Sequence, residues 1–345
     1  MAGNRLDGAY ITRPVSIAYL TGFHAEPMER LMALAIRPDG ATLIVPALEH
    51  DHAVGAVSDV GVVAWRDGED AYALVREAMA GVERVAVEKD HLTLRQAEAL
   101  GLPHMSDVSN EIRSMRVTKT AAELEKLRRA AEITDRAYDE VVRRIRVGQS
   151  ELEVAQMISA SIFAAAGTLA FEPLAQFGPN SAIPHHRPAE RRLAEGDLVL
   201  LDFGAAFDGY AADTTRMAVA GEPDAKQKEI HALVLKGHDD AIAAVRAGVT
   251  AGDVDAAARQ AITSGGHGQH FIHRVGHGLG LEAHEDPSLD PGSRRELEPG
   301  MVATIEPGVY MQGWGGVRIE DDIVVEHNGC RLLTQADRSL YVIES

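Results

Sequence analysis

Cysteine is nearly absent from this sequence. Cys330 is the only one among 345 residues, which excludes an internal disulfide framework and favours a reducing compartment. We expect Cys330 to be chemically inert, because the run of residues 327–330 around it predicts a turn.

Positive charge and long apolar runs are also scarce. The 34 Lys and Arg residues stand against 52 Asp and Glu residues, giving a formal net charge of −18. Such a balance repels phosphate backbones and anionic membrane surfaces, so we expect no nucleic-acid partner. No apolar run approaches the roughly 20 residues of a membrane span. Because the amino terminus also lacks an apolar signal core, we expect no membrane partner and a cytoplasmic location.

The length and overall composition of the chain are those of a two-domain globular protein. At about 100–200 residues per domain, 345 residues predict two domains. Within residues 1–115, short apolar runs separated by Asp-Gly turns predict strands, and helical spacing predicts helices at 71–80 and 94–100. We therefore predict an α/β domain over residues 1–115 and a second domain over residues 116–345.

The second domain begins with a long helix and then becomes rich in strands. Thr residues just before residue 121 predict the start of this first helix, and Ser150 precedes a second one at 151–165. Two further helices are predicted near 224–247 and 253–264. Strands are predicted at 198–203, 214–219, 301–305 and 316–325.

Carboxylates lie at the ends of these strands in two pairs. Asp202 ends a run of four aliphatic residues, so it is at least partly buried and needs a partner or a metal ion. Asp213 begins the next strand, where a hairpin would return it beside Asp202. Glu306 and Glu320 repeat this arrangement on a later strand pair, which suggests an internal duplication.

Three histidines lie in a glycine-rich stretch between the two carboxylate pairs. His273, His277 and His284 are spaced by four and seven residues. Because glycine disfavours helices, these histidines are not expected to be neighbours on a helix. We expect the three side chains to line a cleft from one strand or loop.

Four clustered carboxylates cannot all stay ionised, because like charges raise each other's pKa. Divalent cations would remove this conflict, and mostly oxygen ligands with one imidazole favour Mn²⁺, Co²⁺, Fe²⁺ or Zn²⁺. Each motif alone also has a plain structural explanation: Asp213 as a turn cap, and residues 320–322 as a solvated acidic run. Their occurrence together and in this order favours a metal site.

Five segments in this order resemble the pita-bread-fold metallopeptidases, the group that includes methionine aminopeptidase, aminopeptidase P and prolidase. The segments are LVLLDFG, ADTTR, HRVGHGLGLEAHE, TIEPGVY and GVRIEDDI. The resemblance implies an α+β fold, with a pita-bread catalytic domain following a smaller creatinase-like α/β domain. It also implies two divalent metal ions, with Mn²⁺ favoured over Co²⁺, Zn²⁺ or Fe²⁺. The positions that match the family's metal ligands are Asp202, Asp213, His277, Glu306 and Glu320.

Further residues match the proline-specific branch of this family. His185 ends a segment, residues 178–185, that resembles one in which a histidine faces the substrate, although the adjacent His186 leaves the choice between them open. His273 and His284 match two more active-site positions. Arg318 resembles an arginine that contacts the substrate or orders the site. An N-terminal domain of about 115 residues is also expected of this branch.

The resemblance implies hydrolysis of a small peptide whose second residue is proline. Glu306 would then shuttle a proton to the leaving nitrogen. His185 and His284 would stabilise the developing oxyanion or hold the substrate backbone, while His273 and Arg318 would bind the substrate. A homodimer is expected, because this branch usually pairs through its N-terminal domains.

Several alternatives remain within this fold. The length of 345 residues favours a prolidase that cleaves dipeptides over an aminopeptidase P that trims longer chains. A hydrolase of non-peptide amides is a further candidate. A catalytically inactive binding protein or a metal-independent creatinase-like enzyme would be expected to lack ligands, whereas all five ligand positions are filled here.

Overall fold

The computed structural model describes residues 6–101 and 104–344. The chain divides into two compact units, Met1–Arg116 and Val117–Ser345, and each is described by itself. Within the described residues, every helix is too short or too polar to span a lipid bilayer.

The first unit is a mixed six-stranded sheet with helices. Its strands are β1 Gly8–Ile11, β2 Ala33–Arg37, β3 Gly40–Pro46, β4 Gly61–Trp65, β5 Arg84–Val87 and β6 His104–Asp107. Its helices are α1 Pro14–Thr21, α2 His50–Ala56, α3 Ala71–Ala78, α4 Leu94–Leu100 and α5 Ser109–Val117. The strand order is β4-β3-β2-β1-β5-β6. Strand β2 pairs antiparallel with both β1 and β3, whereas the pairs β3–β4, β1–β5 and β5–β6 are parallel.

Alternation of side chains along this sheet produces two apolar layers. Tyr10 and Ile44 belong to one buried cluster, whereas their neighbours Ile11 and Leu43 belong to another. Because successive side chains of a strand point to opposite faces, both faces of the sheet are covered. The α/β character predicted for this part of the chain is therefore found.

The second unit contains four long helices and a set of short, mostly antiparallel strands. The helices are α6 Ala121–Val142, α7 Glu151–Ala164, α8 Ala225–Ala244 and α9 Ala251–Ser264. The strands are β7 Thr168–Leu169, β8 Leu174–Phe177, β9 Leu198–Phe203, β10 Ala205–Phe207, β11 Tyr210–Ala211, β12 Thr214–Ala220, β13 His277–Gly278, β14 Glu285–Ser288, β15 Val302–Ile305, β16 Gly308–Met311, β17 Gly315–Arg318, β18 Asp321–Glu326, β19 Gly329–Leu332 and β20 Tyr341–Ile343.

Each of these four helices begins at a capping box, in which the N-cap side chain and the side chain three residues later satisfy each other's backbone N–H groups. The pairs are Thr120 with Glu123, Ser150 with Glu153, Asp224 with Gln227, and Thr250 with Asp253. These local signals explain why the helix starts follow from the sequence.

The second unit is internally duplicated. Before α7, Gly148 N donates to Leu193 O over 2.8 Å, and before α9, Gly248 N donates to Leu297 O over 2.9 Å. In both halves a helix pair is followed by a long hairpin, β9–β12 in the first and β15–β18 in the second. The two carboxylate pairs of the sequence lie on these equivalent hairpins.

Both hairpins are interrupted at one point along their length. The β15–β18 register that pairs Ile305 with Asp321 continues in β16–β17, where Gly308 pairs with Arg318. At the interruption, Glu320 N donates to Thr215 O of the other hairpin over 3.2 Å. The two hairpins are thereby joined at the point where each changes from one sheet to another.

Two details of the predicted secondary structure are wrong. The single strand predicted over residues 316–325 is divided into β17 and β18, because Glu320 forms its backbone hydrogen bond with the other hairpin. Cys330 does not lie in a turn: the turn occupies residues 327–328, and Cys330 is half-buried in β19. Its thiol has a pKa raised to about 11 by burial.

Gly204 occupies the interruption of the first hairpin, where its backbone meets that of Ala212. A Cβ atom added to Gly204 would lie 1.7 Å from the Ala212 carbonyl oxygen. We expect Gly204→Ala to lower the free energy of unfolding by about 1–3 kcal/mol, because the backbones must move apart. Thermal or urea unfolding measures this change.

Gly329→Ala is the matched control, since a Cβ atom there meets nothing within 4 Å. This variant is expected to stay within about 0.5 kcal/mol of the parent. Equal stabilities for the two variants would contradict the close approach at Gly204.

Candidate metal centre

The first carboxylate pair lies at one end of the β9–β12 hairpin. Asp202 is opposite Thr215 in the β-ladder, and Asp213 immediately precedes β12. Side chains two residues apart on a strand share a face, so Asp213 and Thr215 lie on the same side, next to Asp202. Both aspartates are buried.

The second pair lies at the interruption of the later hairpin. Glu306 follows β15 and Glu320 precedes β18. The Thr215 side chain donates to Glu320 Oε2 over 2.6 Å, which adds to the backbone bond between the two hairpins. Four carboxylates from two equivalent hairpins therefore converge.

His277 completes the cluster from the short strand β13. Its Nδ1 is 3.1 Å from Gly278 O, where an N–H donates to the carbonyl. This arrangement leaves the Nε2 lone pair facing Glu306 Oε1, 3.3 Å away. Burial, together with the nearby ring of His284, lowers the pKa of His277 to about 3. The imidazole is therefore neutral at physiological pH, as a metal ligand requires.

The five predicted ligands form two overlapping groups that share Glu320. The potential ligand atoms of Asp202, Asp213 and Glu320 all lie within 4.8 Å of one another, and so do those of His277, Glu306 and Glu320. Two groups that share a carboxylate are the arrangement expected where one carboxylate serves two metal ions.

The charge state of this cluster fits divalent cations. Burial, followed by the neighbouring carboxylates, raises the pKa of Asp213 and Glu320 well above their usual range. Burial raises the pKa of Glu306 to about 7. Among the described residues, Asp213 Oδ1 has no hydrogen-bond partner although it is buried. A buried carboxylate oxygen without a donor is costly unless a cation binds it.

A chain of hydrogen bonds connects the cluster to His273. His273 Nε2 lies 2.9 Å from the hydroxyl of Tyr310, and Arg318 Nη1 donates to the same hydroxyl over 2.8 Å. Arg318 also donates to Thr215 and forms an ion pair with Asp202. The guanidinium is therefore held among site residues, where it orders Asp202.

His284 lies at the exposed side of the cluster. Its ring packs edge-on against His277 with 4.1 Å between the ring centres. One of its nitrogens is within 4.8 Å of potential ligand atoms of Asp213 and His277. Because His284 is exposed, it can reach a molecule that enters from solvent.

The two adjacent histidines, His185 and His186, face different surroundings. His186 Nε2 is 3.1 Å from the buried carboxylate of Glu151, whereas His185 is exposed. The pKa of His273 is lowered chiefly by burial, and the His185 ring adds to this effect. The pKa of His284 is lowered by the neighbouring residues that cover part of its ring, with further contributions from Arg274 and His185. The exposed His185 thus interacts electrostatically with His273 and His284, whereas His186 is held by Glu151.

Some residues of the site were not predicted from the sequence. Thr215 and Tyr310 contact predicted site residues directly, and Thr304 Oγ1 accepts from His277 N over 3.1 Å. The available signal was weak: a polar β-branched residue inside a buried strand, as at Thr215 and Thr304. Tyr310 follows Glu306 by four residues and carried no such signal.

Comparison with known proteins assigns both parts of the chain to the family that the sequence resembles. The family model described as metallopeptidase family M24 matches residues 125–327, and the creatinase/prolidase N-terminal domain matches residues 1–118. An uncharacterized peptidase of Staphylococcus saprophyticus is 38% identical over 340 residues, covering 97% of this chain and 96% of the relative.

Solved structures are similar over nearly the whole chain. The Xaa-Pro dipeptidase from Bacillus anthracis is 32% identical with a TM-score of 0.92, covering 98% of this chain and 95% of that one. The X-Pro aminopeptidase from Thermotoga maritima is 31% identical with a TM-score of 0.89, covering 98% of each chain. The predicted α+β fold, with a pita-bread domain after a smaller α/β domain, is confirmed.

Removing the Thr215 hydroxyl is expected to weaken metal binding. Thr215→Val deletes the donor that orients Glu320, and loss of such a partner typically lowers metal affinity about 10–100-fold. Titration of chelator-treated protein with Mn²⁺, followed by calorimetry, measures the affinity.

Thr168→Val serves as the control, because Thr168 is exposed and bonds only weakly to Ala206 O at 3.5 Å. Unchanged Mn²⁺ affinity in Thr215→Val would show that Glu320 is not a ligand or needs no orienting donor.

Proposed function

The chain belongs to metallopeptidase family M24, and we propose that this metal-dependent peptidase hydrolyses Xaa-Pro bonds in small peptides. The observation that carries the proposal is the convergence of four carboxylates and His277 in a fold shared with a Xaa-Pro dipeptidase. Arg318 pairs with Asp202, the His284 ring packs against His277, and His273 is connected to Arg318 through Tyr310, which supports assignment to the proline-specific branch.

The proposed metal ligands are the five clustered side chains, with Glu320 belonging to both groups of potential ligand atoms. Their oxygen-rich donor set with one imidazole suits Mn²⁺, Co²⁺, Fe²⁺ or Zn²⁺, and we propose two Mn²⁺ ions. Bound divalent ions of this kind lower the pKa of water and polarise a carbonyl group. The ligands are Asp202, Asp213, His277, Glu306 and Glu320.

Glu306 is the proposed proton shuttle. Its side chain is 15% exposed, compared with 11% for Asp202 and 7% for Asp213, and Glu320 is 2% exposed as a residue. Glu306 is therefore the carboxylate that a substrate can approach most readily. In this role it carries a proton to the nitrogen of the proline that leaves.

The exposed histidines are the proposed contacts for the scissile peptide. In this proposal His185 and His284 donate to the carbonyl oxygen as negative charge develops, or hold the peptide backbone. His273 is held by its hydrogen bond with Tyr310 and is a proposed substrate-binding residue. We assign Arg318 to substrate binding through its ordering of Tyr310 and Asp202.

We propose the dipeptide as the preferred substrate and a homodimer as the working assembly. The test is to strip the protein with chelator, restore Mn²⁺, and compare cleavage of Ala-Pro with that of Ala-Pro-Ala. Metal-dependent cleavage of Ala-Pro alone is the expected result. Faster cleavage of the tripeptide would assign the chain to the aminopeptidases, and cleavage of neither by the Mn²⁺-loaded protein would overturn the proline-peptidase proposal.

Loss of an exposed site histidine is expected to lower turnover without loss of the fold. His185→Ala and His284→Ala should each reduce kcat by about 100-fold, the usual effect of removing one donor to an oxyanion. His327→Ala is the control, because His327 is exposed in the turn before β19. Turnover of Ala-Pro by both site variants at the parental rate would remove these residues from the mechanism.

A further inference from the structure

A fully buried carboxylate outside the metal cluster contacts the segment that carries His185. Glu151 is the first residue of α7 and is 0% exposed. Its Oε1 accepts from Phe177 N over 2.8 Å and from Asn180 Nδ2 over 2.9 Å. Its Oε2 accepts from Ala189 N over 3.0 Å and lies 3.1 Å from His186 Nε2. Four donors thus satisfy both oxygens, as burial of a charge requires.

All four donors belong to residues 177–189, which we call the His185 loop. Gln176 lies just before this loop and is also 0% exposed. Its Nε2 donates to Pro184 O over 3.2 Å and to His186 O over 3.0 Å. The carbonyls of the two residues on either side of His185 are therefore held by a single buried amide group.

The other side of the loop is fixed to the hairpin that carries Arg318. Ser181 Oγ donates to Gly178 O over 2.6 Å and accepts from Gly316 N over 2.8 Å. The backbones approach so closely that a Cβ atom on Gly316 would lie 2.0 Å from Ser181 O. The loop is thus held at both of its sides, and the His185 side chain remains exposed between them.

The duplicated half of the unit shows that the helix itself does not require Glu151. The equivalent first residue of α9 is Ala251, which is also fully buried. Both helices begin with a capping box that uses other residues, Ser150 with Glu153 in α7. A buried glutamate at this position is therefore explained by the loop and not by helix initiation.

We propose that Glu151 and Gln176 are positioning residues that fix the His185 loop so that His185 faces the metal cluster. His186 acts within this arrangement as a structural partner of Glu151, and of these two adjacent histidines only His185 contacts substrate. This inference rests on the proposed function, because it assumes that His185 acts on a bound peptide.

The first test is Glu151→Gln, which keeps the shape of the side chain and replaces one acceptor oxygen with a donor. An N–H of the loop then faces an N–H of the introduced amide where it previously faced a carboxylate oxygen. Because two donors cannot bond to each other, the loop moves and His185 is displaced. We expect kcat/KM for Ala-Pro to fall by about 10–100-fold, the scale on which misplaced groups act. Glu153→Gln is the matched control: Glu153 is two residues further along α7, and glutamine also serves in a capping box. It is expected to change kcat/KM by less than about twofold.

A double-mutant cycle separates positioning from general damage. In a His185→Ala background, Glu151→Gln is expected to change kcat/KM by less than about twofold, because its effect passes through His185. Equal losses in the two backgrounds would overturn the proposal, since they would mean that Glu151 acts independently of His185. Gln176→Met, which removes both donated bonds at similar volume, gives a second cycle if Glu151→Gln fails to fold.

Hydrogen exchange provides a readout that does not depend on activity. Glu151→Gln is expected to accelerate amide exchange in peptides covering residues 177–189 and to leave α8 and α9 unchanged. Unchanged exchange in the loop would overturn the positioning role. If the parent protein cleaves no Xaa-Pro peptide, the proposed function fails, and the exchange result still decides whether Glu151 holds the loop.

Discussion

Repulsion among four clustered carboxylates, three of them buried, is the constraint on which the second unit depends. Two equivalent hairpins bring these side chains together where their ladders are interrupted. Burial and mutual repulsion raise the pKa of Asp213 and Glu320, so the fold alone does not stabilise their charged forms. Divalent cations resolve this conflict, and the chemistry of a metallopeptidase requires the same ions.

Cationic and hydroxyl side chains hold the two hairpins together, although the carboxylates that the hairpins carry repel one another. Arg216 is 0% exposed, pairs with Asp321 over 2.7 Å, and donates to Ala336 O over 2.8 Å. Burial would raise the pKa of Asp321, but Arg216 and His238 reverse the effect and hold it below its usual range. The charged network around Asp321 is therefore compensated by protein groups. In the cluster Arg318 pairs with Asp202, but the pKa values of Asp213, Glu306 and Glu320 remain raised.

The two duplicated halves use different side chains to hold the backbone near the histidines of the candidate site. In the first half, Glu151 and Gln176 hold the backbone around His185. In the second half, Arg259 of α9 donates to His273 O over 2.8 Å and to Phe271 O over 2.9 Å. One half uses a buried carboxylate and the other a guanidinium, so a symmetric scaffold presents two histidines in dissimilar surroundings.

Local patterns in the sequence predicted six helices, including the four long ones of the second unit, and the strand segments beside the clustered carboxylates. The fold class and the full set of five candidate ligands came from the resemblance of five sequence segments to a known family. Capping residues and apolar periodicity act over a few residues, and a carboxylate that ends an aliphatic run signals its own burial. Tertiary structure alone decided the division of β17 from β18, the roles of Thr215 and Tyr310, and which of His185 and His186 is exposed. Each of these depends on a hydrogen bond between distant segments, such as Glu151 to His186 or Thr215 to Glu320. No periodicity encodes such bonds, because their partners become neighbours only after the two halves have packed together.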